Sequence, residues 1–176
     1  MVITLKNKFD AMSVFFAGML ISVVLYPVLH EAGHFFLAVA LRVEIIELTW
    51  YPDISILFSS AENSQNELIL VGYGGLIFPA IAALLPENKA FFGWYVSFLL
   101  KVINLIAMGF SIYSLLSFKN GYFLMNDDIS SILSVDSGMF LPTFYLTGCT
   151  FLIMLVKILH SEPVKRFDSF LFPLKQ

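Results

Sequence analysis

The chain has 176 residues, of which 59% are hydrophobic and 13% charged, with 19 phenylalanines and a formal net charge of −3; soluble domains run at roughly 45–50% apolar and about 25% charged. This balance, with a mean hydropathy of +0.85, excludes an ordinary water-soluble fold, and without a basic patch it argues against nucleic acid as a partner. The expected architecture is one all-α integral membrane domain over residues 1–176: a polytopic bundle of about four to six transmembrane helices with a small membrane-associated β-hairpin.

Lys6 and Lys8 precede the first apolar run, Ala11–Leu41. The run is too long for a signal-peptide core and has no small-residue cleavage pattern, so it is expected to be retained as a true span. Pro27 is expected to kink it one turn before the segment His30-Glu31-Ala32-Gly33-His34. On a helix, His30 and His34 fall one turn apart on the same face, where both imidazoles can bind one metal ion. Glu31 beside them would take a proton from water made acidic by that metal. Two histidines and a glutamate in lipid-length sequence are costly unless something compensates, and a bound cation, expected to be Zn2+, would do so.

Residues 42–67 are rich in β-branched and aromatic side chains around a Tyr51-Pro52-Asp53 turn, which predicts a β-hairpin from 43–50 and 54–59 at or in the membrane surface. The second span, 68–85, holds Gly72, Gly74 and Gly75, small residues that let another backbone approach closely. Phe91, Phe92, Trp94 and Tyr95 form an aromatic cluster expected at a membrane interface. Lys101, about one turn into the third span (97–118), is expected to snorkel back to that interface rather than take part in chemistry. Residues 119–136 carry Asn126-Asp127-Asp128, and the last span is placed at 138–160. His160 suits the C-terminal end of a helix dipole and is left out of the site. The single cysteine, Cys149, cannot form an intrachain disulfide and is expected to be a small buried residue.

Zinc held by two histidines requires a third protein ligand and keeps a position for water. Asp127 and Asp128 are the candidates. Basic residues flank both ends of the chain and residues 42–67 are net acidic, so the positive-inside rule places both termini in the cytoplasm. The histidine pair then lies in the far half of the first span, and two further crossings return the chain to the same side at Asp127 and Asp128.

These residues together, an HEAGH segment in an early span, a β-rich stretch, a Gly-Gly span and an Asp-containing segment before a late span, resemble the site-2 protease class of zinc intramembrane metalloproteases. The resemblance covers about residues 24–159 and implies His30 and His34 as zinc ligands, Glu31 as catalytic base, and an aspartate as third ligand. Where the family usually has Leu-Asp-Gly, this chain has Asn126-Asp127-Asp128-Ile129. Asp128 is preferred because the family's aspartate opens the following helical segment; Asn120 stands eight residues earlier, a spacing seen for an asparagine in some members.

The implied function is hydrolysis of peptide bonds in membrane-embedded substrates, with a transmembrane-helix protein as substrate, the bilayer as surroundings and room for a regulatory membrane partner. A prokaryotic plasma membrane is the default location for so short a multi-pass chain. The alternative is a non-proteolytic metal-binding membrane protein, an inactive relative or a transporter subunit, in which Glu31 has no role as a base.

Overall fold

A computed structural model describes residues 8–49, 55–59, 64–85, 90–122 and 128–171. In chain order they form α1 (Lys8–Leu41), β1 (Ile45–Thr49), β2 (Ser55–Phe58), α2 (Gln65–Leu84), α3 (Phe91–Lys119), α4 (Asp128–Val135), a single 3-10 turn, α5 (Phe140–His160) and α6 (Pro163–Leu171). Among the described residues, four helical stretches are long and apolar enough to cross a membrane: within α1, α2, α3 and the stretch Ser137–Leu171 that contains α5. The outward faces of α1 and α5 carry exposed Phe16, Leu20, Val24, Leu152, Val156 and Leu159. Large apolar side chains presented this continuously are consistent with a membrane protein.

Helix α1 runs unbroken through Pro27, whose missing N–H leaves the carbonyl four residues earlier without its helical donor. It ends where Arg42 takes a left-handed backbone (φ 60), and the Val43 N–H donates to the Ala38 carbonyl at 2.9 Å. The expected hairpin forms: β1 and β2 pair antiparallel, with Ile45 opposite Phe58 and an irregularity between Ile45 and Glu47. Its turn, Tyr51-Pro52-Asp53, lies outside the described residues. Val43, Ala38 and Val71 bury a small cluster on which Ile45 and Phe58 pack, and this fastens the hairpin to α1 and α2.

Helix α2 begins with a capping box: Ser64 accepts from the Glu67 N–H while the Glu67 carboxylate accepts from the Ser64 N–H. Its glycines set the packing. A Cβ on Gly33 or Gly74 would strike the backbone of the other residue, so α1 and α2 cross in main-chain contact, as small-residue pairs in membrane helices allow. A Cβ on Gly72 would lie 2.7 Å from Ile132 Cγ1, so the same helix receives α4 two residues away, on a different face. Ile129, Ile132 and Leu133 of α4 are buried with Ile69, Tyr73, Met108 and Leu115. This core fixes where α4 starts.

Two expectations are corrected. Lys101 does not snorkel: its side chain is 2% exposed and Nζ donates to Ser97 Oγ at 3.0 Å. It lies on a buried stripe of α3 with Asn104, Ser111 and Ser114, where Asn104 donates to the Pro79 carbonyl of α2 at 3.3 Å. Cys149 is exposed rather than buried, because α5 turns Thr143, Thr147 and Met154 inward instead. The 91–95 aromatic cluster is the first turn of α3, and Trp94 within it is fully buried. What covers it is α6, whose Phe170 stacks on Phe91 with ring centroids 3.7 Å apart.

Candidate metal centre

His30 and His34 lie on consecutive turns of α1, and Asp128 is the first residue of α4. The α4 core described above brings the aspartate to the histidines across 94 residues of sequence, since Asp128 Oδ2 lies 3.1 Å from His30 Nε2 and Oδ1 lies 3.4 Å from His34 Nε2. The two Nε2 atoms are 3.3 Å apart. One ligand atom from each of the three residues can be chosen so that all lie within 4.8 Å of one another. Tetrahedral ligands about 2.0–2.1 Å from a zinc ion stand about 3.3–3.4 Å from each other; the two imidazole nitrogens have that spacing, while the carboxylate meets each of them through a different oxygen.

The hydrogen bonding points the same way. His34 Nδ1 lies 2.8 Å from the Val71 carbonyl, an acceptor only, so Nδ1 carries the proton and Nε2 of the neutral ring presents a lone pair. That lone pair faces a carboxylate and a second imidazole. Acceptors converging in this way require a proton or a metal ion between them. Burial alone would push the Asp128 carboxyl up, but hydrogen bonding with the His30 and His34 imidazoles outweighs it and holds the group well below the usual carboxylate range.

Glu31 Oε1 approaches His30 Nε2 at 4.0 Å, so the carboxylate lies next to the triangle without being part of it. His34 is buried, whereas His30, Glu31 and Asp128 are partly exposed, which leaves the Glu31 side of the cluster open. Gly75 forms the opposite wall. A Cβ there would lie 2.7 Å from both His30 Cε1 and His34 Cε1, and closer still to His34 Nε2. The space taken by the imidazoles exists because residue 75 has no side chain.

All three candidate ligands and the candidate base are therefore together. Asp127 lies outside the described residues. Asn120 is an exposed C-terminal cap of α3, and His160 is exposed at the far end of α5 with Nδ1 2.9 Å from the Val156 carbonyl; neither joins the cluster. The sequence reading missed Gly75 as a wall of the site, the Val71 carbonyl as the partner of His34, and two flanking rings. Phe58 of β2 lies 6.3 Å from the His34 ring and Tyr26 lies 6.2 Å from the His30 ring. Tyr26 did have a signal, being one helical turn before His30 on the same face. No protein-family model, curated protein or solved structure matches this chain.

Proposed function

We propose that this chain is a zinc-dependent intramembrane endopeptidase, a divergent and compact relative of the site-2 proteases, which crosses a prokaryotic plasma membrane several times with both termini cytoplasmic. The observation that carries the reading is the convergence of His30, His34 and Asp128, one ligand atom from each within 4.8 Å of the others, beside Glu31. The donor set, two imidazole nitrogens and one carboxylate, fits zinc and leaves a position for water or substrate. When bound, zinc supplies a Lewis acid that acidifies water and polarises a carbonyl.

The chain's own residues supply the rest. Glu31 accepts the proton of the attacking water and returns it to the leaving nitrogen, so that the peptide bond is replaced by an acid and an amine. The Val71 carbonyl, accepting from Nδ1–H, holds the His34 imidazole in one orientation. A helical substrate shields its peptide bonds with internal hydrogen bonds and must unwind before it can be attacked. The hairpin stands beside His34 through Phe58, and its exposed strand β1 offers main-chain groups on which an unwound segment can add as a further strand.

The test uses the full chain reconstituted in liposomes with a panel of tagged single-span peptides, comparing the wild type with Glu31→Gln. The expected result is one zinc per chain in both proteins and cleavage in the wild type alone. Cleavage that persists in the variant removes Glu31 as the base. Zinc in both with no cleavage in either favours the non-proteolytic metal-binding reading instead.

A further inference from the structure

Helix α1 carries more than metal ligands on the face of the candidate centre. Phe16, Leu20, Val23, Pro27, His30 and His34 recur at alternating steps of four and three residues, so they form one stripe along the helix. The C-terminal part of the stripe is the histidine pair. Its N-terminal part is open: Val23 is 57% exposed, and Pro27 is exposed beside it. Glu31 stands one turn beyond Pro27 on the same side of the helix.

Pro27 gives this open stretch a polar group. Proline has no N–H, so the Val23 carbonyl, four residues earlier in an unbroken helix, is left without its helical donor. In a helix long and apolar enough to cross a membrane such an acceptor is costly unless another donor reaches it, and hydrocarbon has none to give. An unwound peptide does, since each residue presents a main-chain N–H. The distance suits this partner. Val23 and Glu31 are eight residues apart, about 12 Å of helical rise, and the carbonyl points along the axis toward residue 27, which brings it to about 10 Å from Glu31. An extended segment covers about 3.3 Å per residue, so an N–H about three residues from the bond that faces Glu31 reaches the carbonyl. The hairpin meets the centre at the other end, where Phe58 lies beside His34. A segment held at both places would cross the metal centre between them.

We propose that the Val23 carbonyl, freed by Pro27, is a main-chain acceptor for the unwound substrate on the side of the metal centre away from the hairpin, an assignment that rests on the endopeptidase reading and names how its substrate is held.

The test reads binding apart from cleavage. It uses the zinc-loaded Glu31→Gln full chain in liposomes, with Pro27 kept or with Pro27→Ala added, and a fluorescent Leu-Ala single-span peptide unwound by a central Gly-Gly pair. Alanine restores the helical N–H and so occupies the Val23 carbonyl. Ester analogues of the peptide, each lacking one N–H, locate the donor. The Pro27→Ala protein is expected to keep its zinc affinity and to bind the peptide about fivefold more weakly. One ester, about three residues from the Gly-Gly pair, should weaken binding about fivefold when Pro27 is present and have no effect in Pro27→Ala. A change in helix shape alone would not produce a loss tied to a single N–H. No saturable binding by the protein with Pro27, an ester loss of equal size in both proteins, or a fall in zinc affinity in Pro27→Ala overturns the proposal. Cleavage by the wild type is scored separately. Cleavage with no ester effect that depends on Pro27 removes the acceptor and keeps the protease, whereas Pro27-dependent binding without any cleavage keeps the acceptor and removes the protease.

Discussion

Gly75→Ala tests the metal centre without touching a ligand. The added Cβ would lie 2.7 Å from His30 Cε1 and from His34 Cε1, where ordinary contact begins at 3.4 Å, so the rings must retreat by about 0.7 Å. Metal–ligand bonds tolerate about 0.2 Å. The 3.3 Å approach of the two Nε2 atoms therefore cannot be kept with the alanine in place. Overpacking of this kind costs about 1–3 kcal/mol, and because it falls on the metal-bound arrangement it should weaken zinc binding by roughly fivefold to 150-fold. Alanine is also a better helix former than glycine by about 1 kcal/mol. The metal-free protein should thus unfold no more easily than the wild type, while its zinc affinity, measured by competition with a chromogenic chelator, falls. Zinc affinity within twofold of wild type, in a protein whose metal-free thermal midpoint is unchanged, would refute the view that Gly75 makes room for the imidazoles. Gly33→Ala is the contrasting case, because its Cβ meets the backbone of Gly74 rather than a side chain. Its loss should appear first as lower stability of the metal-free protein.

Other consequences can be checked with the same preparations. Ile132→Ala, at a 2% exposed position of the α4 core, should lower stability by about 2–5 kcal/mol and weaken zinc binding as well, since α4 sets the position of Asp128; denaturation and chelator competition read the two effects separately. Asp128→Asn keeps the shape but removes the charge and should cost more zinc affinity than Gly75→Ala, whereas unaltered stoichiometry and affinity would show that another residue, such as Asp127, completes the set. Because Asp128 is held below the usual carboxylate range, it stays ionised at any pH above about 4, and proton competition is left to the imidazoles. Both imidazoles must be unprotonated to bind the metal, so zinc affinity should fall as the pH is lowered, approaching two decades per pH unit when both rings must lose a proton. A titration between pH 4.5 and 8 checks this, and a slope steeper than two would mean that the carboxylate takes up a proton too.

The local parts of this molecule were legible and the face-dependent parts were not. A span is a property of contiguous residues, so Ala11–Leu41 and the three later runs match α1, α2, α3 and α5. The hairpin followed from β-branched residues around Tyr51-Pro52-Asp53. His30 and His34 share a face by helical spacing alone, and counting crossings brought Asp128 to their side of the bundle. Hydropathy, however, measures separation from water and does not distinguish lipid from protein. Cys149 and Lys101 both went astray for that reason: one lies on the outward, exposed side of α5, the other on the inner side of α3. For Lys101 a signal existed, because Ser97, Lys101, Asn104 and Ser111 recur at helical spacing and mark a polar inward stripe.

Glycine and the main chain pose a different difficulty. Gly72, Gly74 and Gly75 are adjacent or nearly so in sequence, yet they face Ile132, Gly33 and the two imidazoles respectively, because successive residues of a helix point about 100° apart. A cluster of small residues thus announces close approach in general while concealing that each member answers to a different neighbour. The Val71 carbonyl has no side-chain signature at all, although it sets the tautomer of His34. In a site of this kind the groups that perform chemistry are side chains and can be read from spacing, whereas the groups that orient them are backbone and empty space, which only the packed bundle supplies. The decisive variants for the candidate centre are therefore the ones that fill that space, Gly75→Ala foremost, since they displace the His30 and His34 rings while removing no donor atom.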